Sequence, residues 1–247
     1  MAEPRLSLDR LSKRFGSRLA VDELSLRVEA GEIYGLIGPN GSGKTTTVKL
    51  VTGLYRPGAG RILIDGIDLA TAPEAAKGRI GYIPDEPYVY EKMSGREFLH
   101  LVGELYGVPR GERSRKIEEL LALYPIGEIL DEYVESYSRG HRQKVAIMAS
   151  LLHAPRLLIV DEPIVGLDPE SAIRTRELLK RFAEEGGAVL VCTHTLTFAE
   201  AVCHRVGLLR EGRLIRDGTL SALRDLARLP NASLEALYLH FTNSHPR

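Results

Sequence analysis

Cysteine is nearly absent: the 247 residues include two, Cys192 and Cys203, and their spacing forms neither a metal-ligand set nor a disulfide framework. A stapled or zinc-held fold is excluded, and a reducing compartment is the expectation. Charge of one sign is also lacking, because 33 Lys and Arg balance 33 Asp and Glu. With no net field to draw the chain onto DNA, RNA or an anionic membrane, any anion it binds has to be held locally. Long apolar runs are missing too. No uninterrupted run reaches even ten residues, whereas a membrane span needs about twenty, so any service to a membrane is given from outside the bilayer. The opening MAEPRLSLDR has no apolar core flanked by a cleavage site, which makes a cytoplasmic location the expectation. No repeat or low-complexity stretch interrupts the chain.

What is present is a composition that is 44% apolar, enough to bury one large core or a core with a subdomain. LSLRVE (24–29) and EIYGLIG (32–38) read as strands, and KTTTVKLVTG (44–53) reads as a helix ended by Gly53. RILIDGIDL (61–69) places an Asp65-Gly66 turn between two apolar stretches, as in a hairpin. From Ser94 the character changes. Ser94 and Glu97 fit a capping box, Phe98, Leu101, Val102 and Leu105 follow at helical spacing, and a second helix runs through Ile117, Leu120 and Leu121. After Ala154-Pro155 the alternation of strand and helix returns with RLLIVD, a helix from Asp168 to about Glu185, AVLVCTH and VGLLR. The tail fits two short helices separated by Pro230-Asn231. The expected organisation is an α/β core at 1–84 and 155–216 with an antiparallel β part, a helical insertion at 85–154 and a helical tail at 217–247.

GPNGSGKT, residues 38–45, matches G-x-x-x-x-G-K-S/T between an apolar strand and a helix. Gly38, Pro39, Asn40, Gly41, Ser42 and Gly43 form the loop, whose glycines let backbone N–H groups face a phosphate while the helix start adds partial positive charge. Lys44 brings a full charge to the terminal phosphates, Thr45 offers a hydroxyl to magnesium, and Thr46 continues the binding turn. The expected ligand is a nucleoside triphosphate with Mg2+.

Asp-Glu-Pro occurs twice, in GYIPDEPYVY (81–90) and in LLIVDEPIVG (157–166). In the second copy four apolar residues make a buried strand that delivers Asp161 and Glu162 at its C-terminal end, where parallel sheets hold ligands. Asp161 is expected to hold magnesium through water, and Glu162 to accept a proton from an attacking water. His194, just after the strand AVLVCT, is expected to orient the γ-phosphate and that water.

GPNGSGKTT, LLIVDEP, GLDP (166–169) and the histidine of CTHT stand in an order that resembles the nucleotide-binding subunit of ATP-binding-cassette (ABC) transporters across essentially the whole chain. The resemblance implies a P-loop NTPase core with a mixed sheet, an antiparallel β part and an inserted α-helical subdomain. It also implies ATP hydrolysis with Mg2+. That family's signature, close to LSGGQ, falls on SYSRGHRQK (136–144), with Ser138 and Gly140 matching and Arg139 and His141 departing from the pattern. The signature is implied to meet the γ-phosphate held by a second ATPase subunit, identical or not, and a helix starting near Gly140 would aim N–H groups at that anion. ATP that binds only the pair would drive pairing by mass action. Asp168 lies in the implied dimer loop, and Phe15 stands where the family stacks an aromatic on adenine. Asp85, in the first Asp-Glu-Pro, stands where the family usually has glutamine, and is expected to sense magnesium. Glu86, Tyr88 and Tyr90 follow where a permease would dock.

Three functions share this fold: the ATPase of a transporter, a soluble ATPase acting on ribosomes or other cytoplasmic complexes, and a nucleotide-gated module with little turnover. A single cassette with no basic arm and a short insertion favours the first, and the complete set Lys44, Thr45, Asp161, Glu162 and His194 favours turnover. NASLEALYLHFT resembles the end of ATPase subunits from bacterial ABC-2-type exporters, whose permease is a separate chain. The expectation is therefore a cytoplasmic exporter ATPase, peripheral on the inner face of the membrane through its permease, with no nucleic-acid partner.

Overall fold

Residues 3–243 are described by the computed structural model; residues 244–247 of the expected tail lie outside them. Two sheets form in chain order. Strands β1 (Leu6–Phe15) and β2 (Arg18–Val28) pair antiparallel, β3 (Ile33–Ile37) leads through the glycine-rich loop into α1 (Lys44–Val51), and β4 (Ala59–Ile64) turns at Asp65-Gly66 into β5 (Ile67–Asp68). Helix α2 (Pro73–Lys77) precedes β6 (Ile80–Ile83). The insertion supplies α3 (Gly95–Leu105), α4 (Arg110–Leu123) and α5 (Arg139–Leu151). The chain then returns through β7 (Leu157–Asp161), α6 (Pro169–Glu184), β8 (Ala188–Thr193), α7 (Leu196–Val202), β9 (Arg205–Arg210) and β10 (Arg213–Gly218). Helices α8 (Leu220–Ala227) and α9 (Leu234–Asn243) follow.

The antiparallel sheet has the order β2-β1-β4-β5, and the larger sheet β10-β9-β3-β8-β7-β6 is parallel except where β10 meets β9. Strands β7 and β8 are buried along their full length, so their apolar runs show no alternation in sequence although their two faces do different work. Leu157, Ile159, Ala188 and Leu190 face α1 and the antiparallel sheet, in one cluster with Leu6, Leu24 and Val48. Leu158, Val160, Val189 and Val191 face the opposite way, in one cluster with Phe98, Leu99, Ile117 and Val145 of the insertion. The helical insertion is thereby packed onto the core sheet, and a buried hydroxyl pair, Tyr124 Oη to Thr175 Oγ1 at 2.7 Å, ties it to α6.

Local signals act where they were read. Ser94 Oγ accepts from Glu97 N–H at 3.2 Å and Glu97 Oε2 accepts from Ser94 N–H at 2.8 Å, closing the capping box of α3. Helices α8 and α9 pack through Leu223, Leu234, Leu237 and Phe241 against Ile37 and Leu208 of the large sheet. Strand β10 ends at Gly218, past the boundary placed at 216, so the helical tail opens at Leu220. Among the described residues no helix is long and apolar enough to cross a membrane.

Candidate functional site

Parallel register brings the chemistry to one sheet edge. Ile37 pairs with Thr193, and Asp161 with Cys192, so the C-terminal ends of β3, β7 and β8 deliver Gly38, Asp161 and His194 side by side. The cleft formed there has a volume of about 740 Å³ and is lined by residues from the P-loop, the β6 loop and both strand ends, Lys44, Thr45, Asp85, Asp161, Glu162 and His194 among them.

The loop Gly38–Gly43 could not close with other residues at its critical points. Gly43 has φ +114°, and a Cβ there would lie 2.5 Å from Ala20 O. Lys44, the first residue of α1, is 6% exposed and curls back so that Nζ donates to Gly38 O at 2.7 Å and Pro39 O at 3.1 Å. Ser42 Oγ is buried without a hydrogen-bond partner, an orphan polar atom inside a loop shaped to hold an anion. Asn40, Thr45 and Thr46 line the cleft beside it. Phe15 is half exposed at the mouth, edge-on to Tyr55 at 5.4 Å between centroids, with one face of the pair near Lys13.

Asp161 and Glu162 are both buried. Burial, then the neighbouring Glu162 and Asp85 charges, push the Asp161 carboxyl up to about 6, against the opposing pull of Lys44. Glu162 sits at φ +50°, in the left-handed region, a strained position for a side chain at a strand end. Its carboxylate is held from β8: Oε2 accepts from Thr193 Oγ1 at 2.8 Å, and Oε1 accepts from His194 N at 2.9 Å and Nδ1 at 2.6 Å. Thr193 was not singled out from sequence; its only signal is its place immediately before His194. Thr193→Val is expected to lower turnover about tenfold with KM nearly unchanged, by removing one hydrogen bond to a charged group, while Thr193→Ser restores the rate in steady-state assays. Arg18, also unread, donates through Nη2 to Gly41 O at 2.9 Å and braces the P-loop.

The signature residues do not join this cleft. Ser138 caps α5, its Oγ accepting from His141 N–H at 3.2 Å, and Ser138, Arg139, Gly140 and His141 are absent from the cleft's lining. The His141 imidazole is held below its usual pKa by burial and then by Lys144. Asp168 caps α6, accepting from Ser171 N–H at 2.8 Å, and pairs with Lys144 of α5 at 3.0 Å. Those bonds hold its carboxyl below the usual value of 3.8, the Ser171 N–H foremost. A depressed folded pKa means that the cap's contribution is present above the unfolded value and lost as pH falls through the folded one. Asp168→Ala is expected to cost about 1 kcal/mol in urea unfolding at pH 7, with the difference from the native chain shrinking at strongly acid pH.

Asp85 lies in the loop after β6. That loop is tied to α5 by Gln143 Nε2 donating to Pro84 O at 3.2 Å and by Arg139 Nη2 at 3.3 Å from Asp85 Oδ1.

Residues 21–165 match a family model described as ABC transporter. The chain is 34% identical over 218 residues to the linearmycin resistance ATP-binding protein LnrL of Bacillus subtilis (strain 168), covering 88% of this chain and 70% of that protein. Among solved structures it is similar to an ATP binding subunit of an ABC transporter, with a TM-score of 0.92 at 35% identity over 96% of this chain and 99% of that one. It is also similar to an ATP-binding cassette solved as a dimer in a post-hydrolysis state with ADP and Pi, with a TM-score of 0.79 at 25% identity over 87% of this chain and 98% of that one.

Proposed function

Because this chain belongs to the ABC transporter family of ATP-binding proteins, we propose that it is the ATP-hydrolysing subunit of an exporter whose permease is a separate chain. ATP binding and hydrolysis are the activity of the family. The observation that carries the assignment to this site is the meeting of Lys44, Asp161, Glu162 and His194 in one cleft at the ends of β3, β7 and β8.

ATP phosphates lie on the N–H groups of Gly41–Thr46, and Lys44 exchanges its two carbonyl partners for phosphate oxygens. Phe15 at the mouth stacks on the adenine. The cleft fits Mg2+ shared with the nucleotide. Burial and then the neighbouring carboxylates raise Asp161, and among the described residues no group of three or more His, Cys, Asp and Glu could hold a metal unaided, so phosphate oxygens and water would have to supply further ligands. Thr45 and Asp161 would hold the ion, with Asp85 as its sensor, and its charge would offset that developing on the transferred phosphoryl group. Glu162 accepts the proton of the attacking water, while His194 orients Glu162 and the γ-phosphate.

A second ATPase subunit completes the site. The exposed N-terminal turn of α5, with Ser138, Arg139, Gly140 and His141, meets the γ-phosphate held by the facing chain, and the Asp168 loop lies across the same interface. This reading is supported by the separation of that turn from its own cleft and by the dimeric cassette among similar structures. Export is supported by the resistance name of the Bacillus relative. The core, helical insertion and helical tail then work as three units on the inner face of the membrane, with Tyr88 and Tyr90 exposed toward the permease.

The experiment is co-purification of a tagged Glu162→Gln chain from detergent-solubilised native membranes with ATP and Mg2+. Recovery of a polytopic membrane protein in stoichiometric amount is expected. Recovery of ribosomes or soluble complexes alone would replace the exporter by a cytoplasmic regulatory ATPase.

A further inference from the structure

Asp85 and Arg139 each depart from the family pattern, and the fold sets them against each other. Arg139 Nη2 lies 3.3 Å from Asp85 Oδ1 and 3.5 Å from Asp85 O, and among the described residues neither side chain has another ion pair. The stem of Arg139, half exposed to solvent, lies against one backbone neighbour. It passes over Gly166, where an added Cβ would come within 3.0 Å of Arg139 Cδ. The guanidinium therefore reaches from the start of α5, across the loop that follows Glu162, to the loop that follows β6. Only one end of this bridge, Asp85, lines the nucleotide cleft.

Arg139 neutralises part of the charge that Asp85 would offer a cation in the cleft, so the two compete for the carboxylate even where each takes one of its oxygens. Asp85 also adds to the negative charge felt by Asp161, so its position alters the attraction of the cleft for a cation. A neutral glutamine in its place would form no ion pair with Arg139 and would add no charge.

We propose that Arg139 is a positioning residue for Asp85. It draws the carboxylate toward the signature turn, and a cation–nucleotide complex entering the cleft has to draw it back. This inference rests on the reading of Asp85 as the cation sensor, and the test separates the two.

Binding of a fluorescent ATP analogue to the full chain is titrated with Mg2+, at protein concentrations where the chain stays single, so that contacts across a dimer do not enter. Arg139→Gln is expected to lower the Mg2+ concentration for half-maximal binding about three- to fivefold, the size of one partly exposed ion pair. Arg139→Lys is expected to return it toward the native value. Asp85→Asn should raise the Mg2+ requirement, and adding Arg139→Gln to it should change nothing further. No shift for Arg139→Gln, or an equal shift with and without Asp85→Asn, would overturn the positioning role. An unchanged Mg2+ requirement in Asp85→Asn alone would overturn the sensor reading and the inference built on it.

Discussion

Glu162→Gln is expected to lower ATP turnover about 10³-fold, within the range of a lost general base, while ATP binding survives. The substitution keeps the shape and one carbonyl oxygen, so Thr193 Oγ1 or the His194 N–H groups still find an acceptor where Glu162 now accepts from all three. What is lost is the second negative oxygen and the ability to take a proton. Asp161 is also relieved of a charge that now raises it, so cation and nucleotide are retained. Single-turnover phosphate release and equilibrium nucleotide binding, measured on the same preparation, separate the two effects. Turnover within tenfold of the native rate would move the base elsewhere, Asp85 and Glu86 being the carboxylates that line the cleft besides Asp161. Light scattering supplies a second readout: the variant is expected to accumulate as an ATP-bound pair, because pairing proceeds and hydrolysis does not release it.

Lys44→Met is expected to act one step earlier, weakening ATP binding about 100-fold, the size of one or two charge-assisted hydrogen bonds to phosphate. Methionine matches the length of the stem, so packing at this buried position is largely kept. The two carbonyls that Lys44 now satisfies, Gly38 O and Pro39 O, lose their donor, and Asp161 loses the one nearby charge that pulls it down most. Its carboxyl then moves further up. The check is thermal. In the native chain, saturating ATP at about 100 times Kd adds roughly 2.7 kcal/mol of stability, which for a chain of this size raises Tm by roughly 5–10 °C. In the variant, most of that rise disappears at the same ATP concentration. An undiminished rise would show that the P-loop backbone alone supplies the affinity.

Strands β3, β7 and β8 and helices α1, α3 and α6 were legible because each combines an apolar run or helical spacing with a local stop or cap: Gly53 after α1, the Ser94 and Glu97 box before α3, and Asp168 before α6. Strand β1 was not. Its buried residues Leu6 and Leu8 keep a two-residue period, but a bulge with Arg10 at φ +43° shifts the next one to Leu11 and breaks the alternation. Strand β6 is four residues at a sheet edge, too short for a pattern, and β10 alternates weakly because it is only partly buried.

The sequence by itself determined the phosphate loop, the Asp161 and Glu162 strand end and the order of the elements that carry them, since each is encoded by residues adjacent in the chain. Tertiary structure alone decided that Thr193 holds Glu162, that Arg18 braces Gly41 and that Arg139 meets Asp85 across 54 positions. Those contacts depend on strand order and on how the insertion packs against the large sheet, and no local propensity records either.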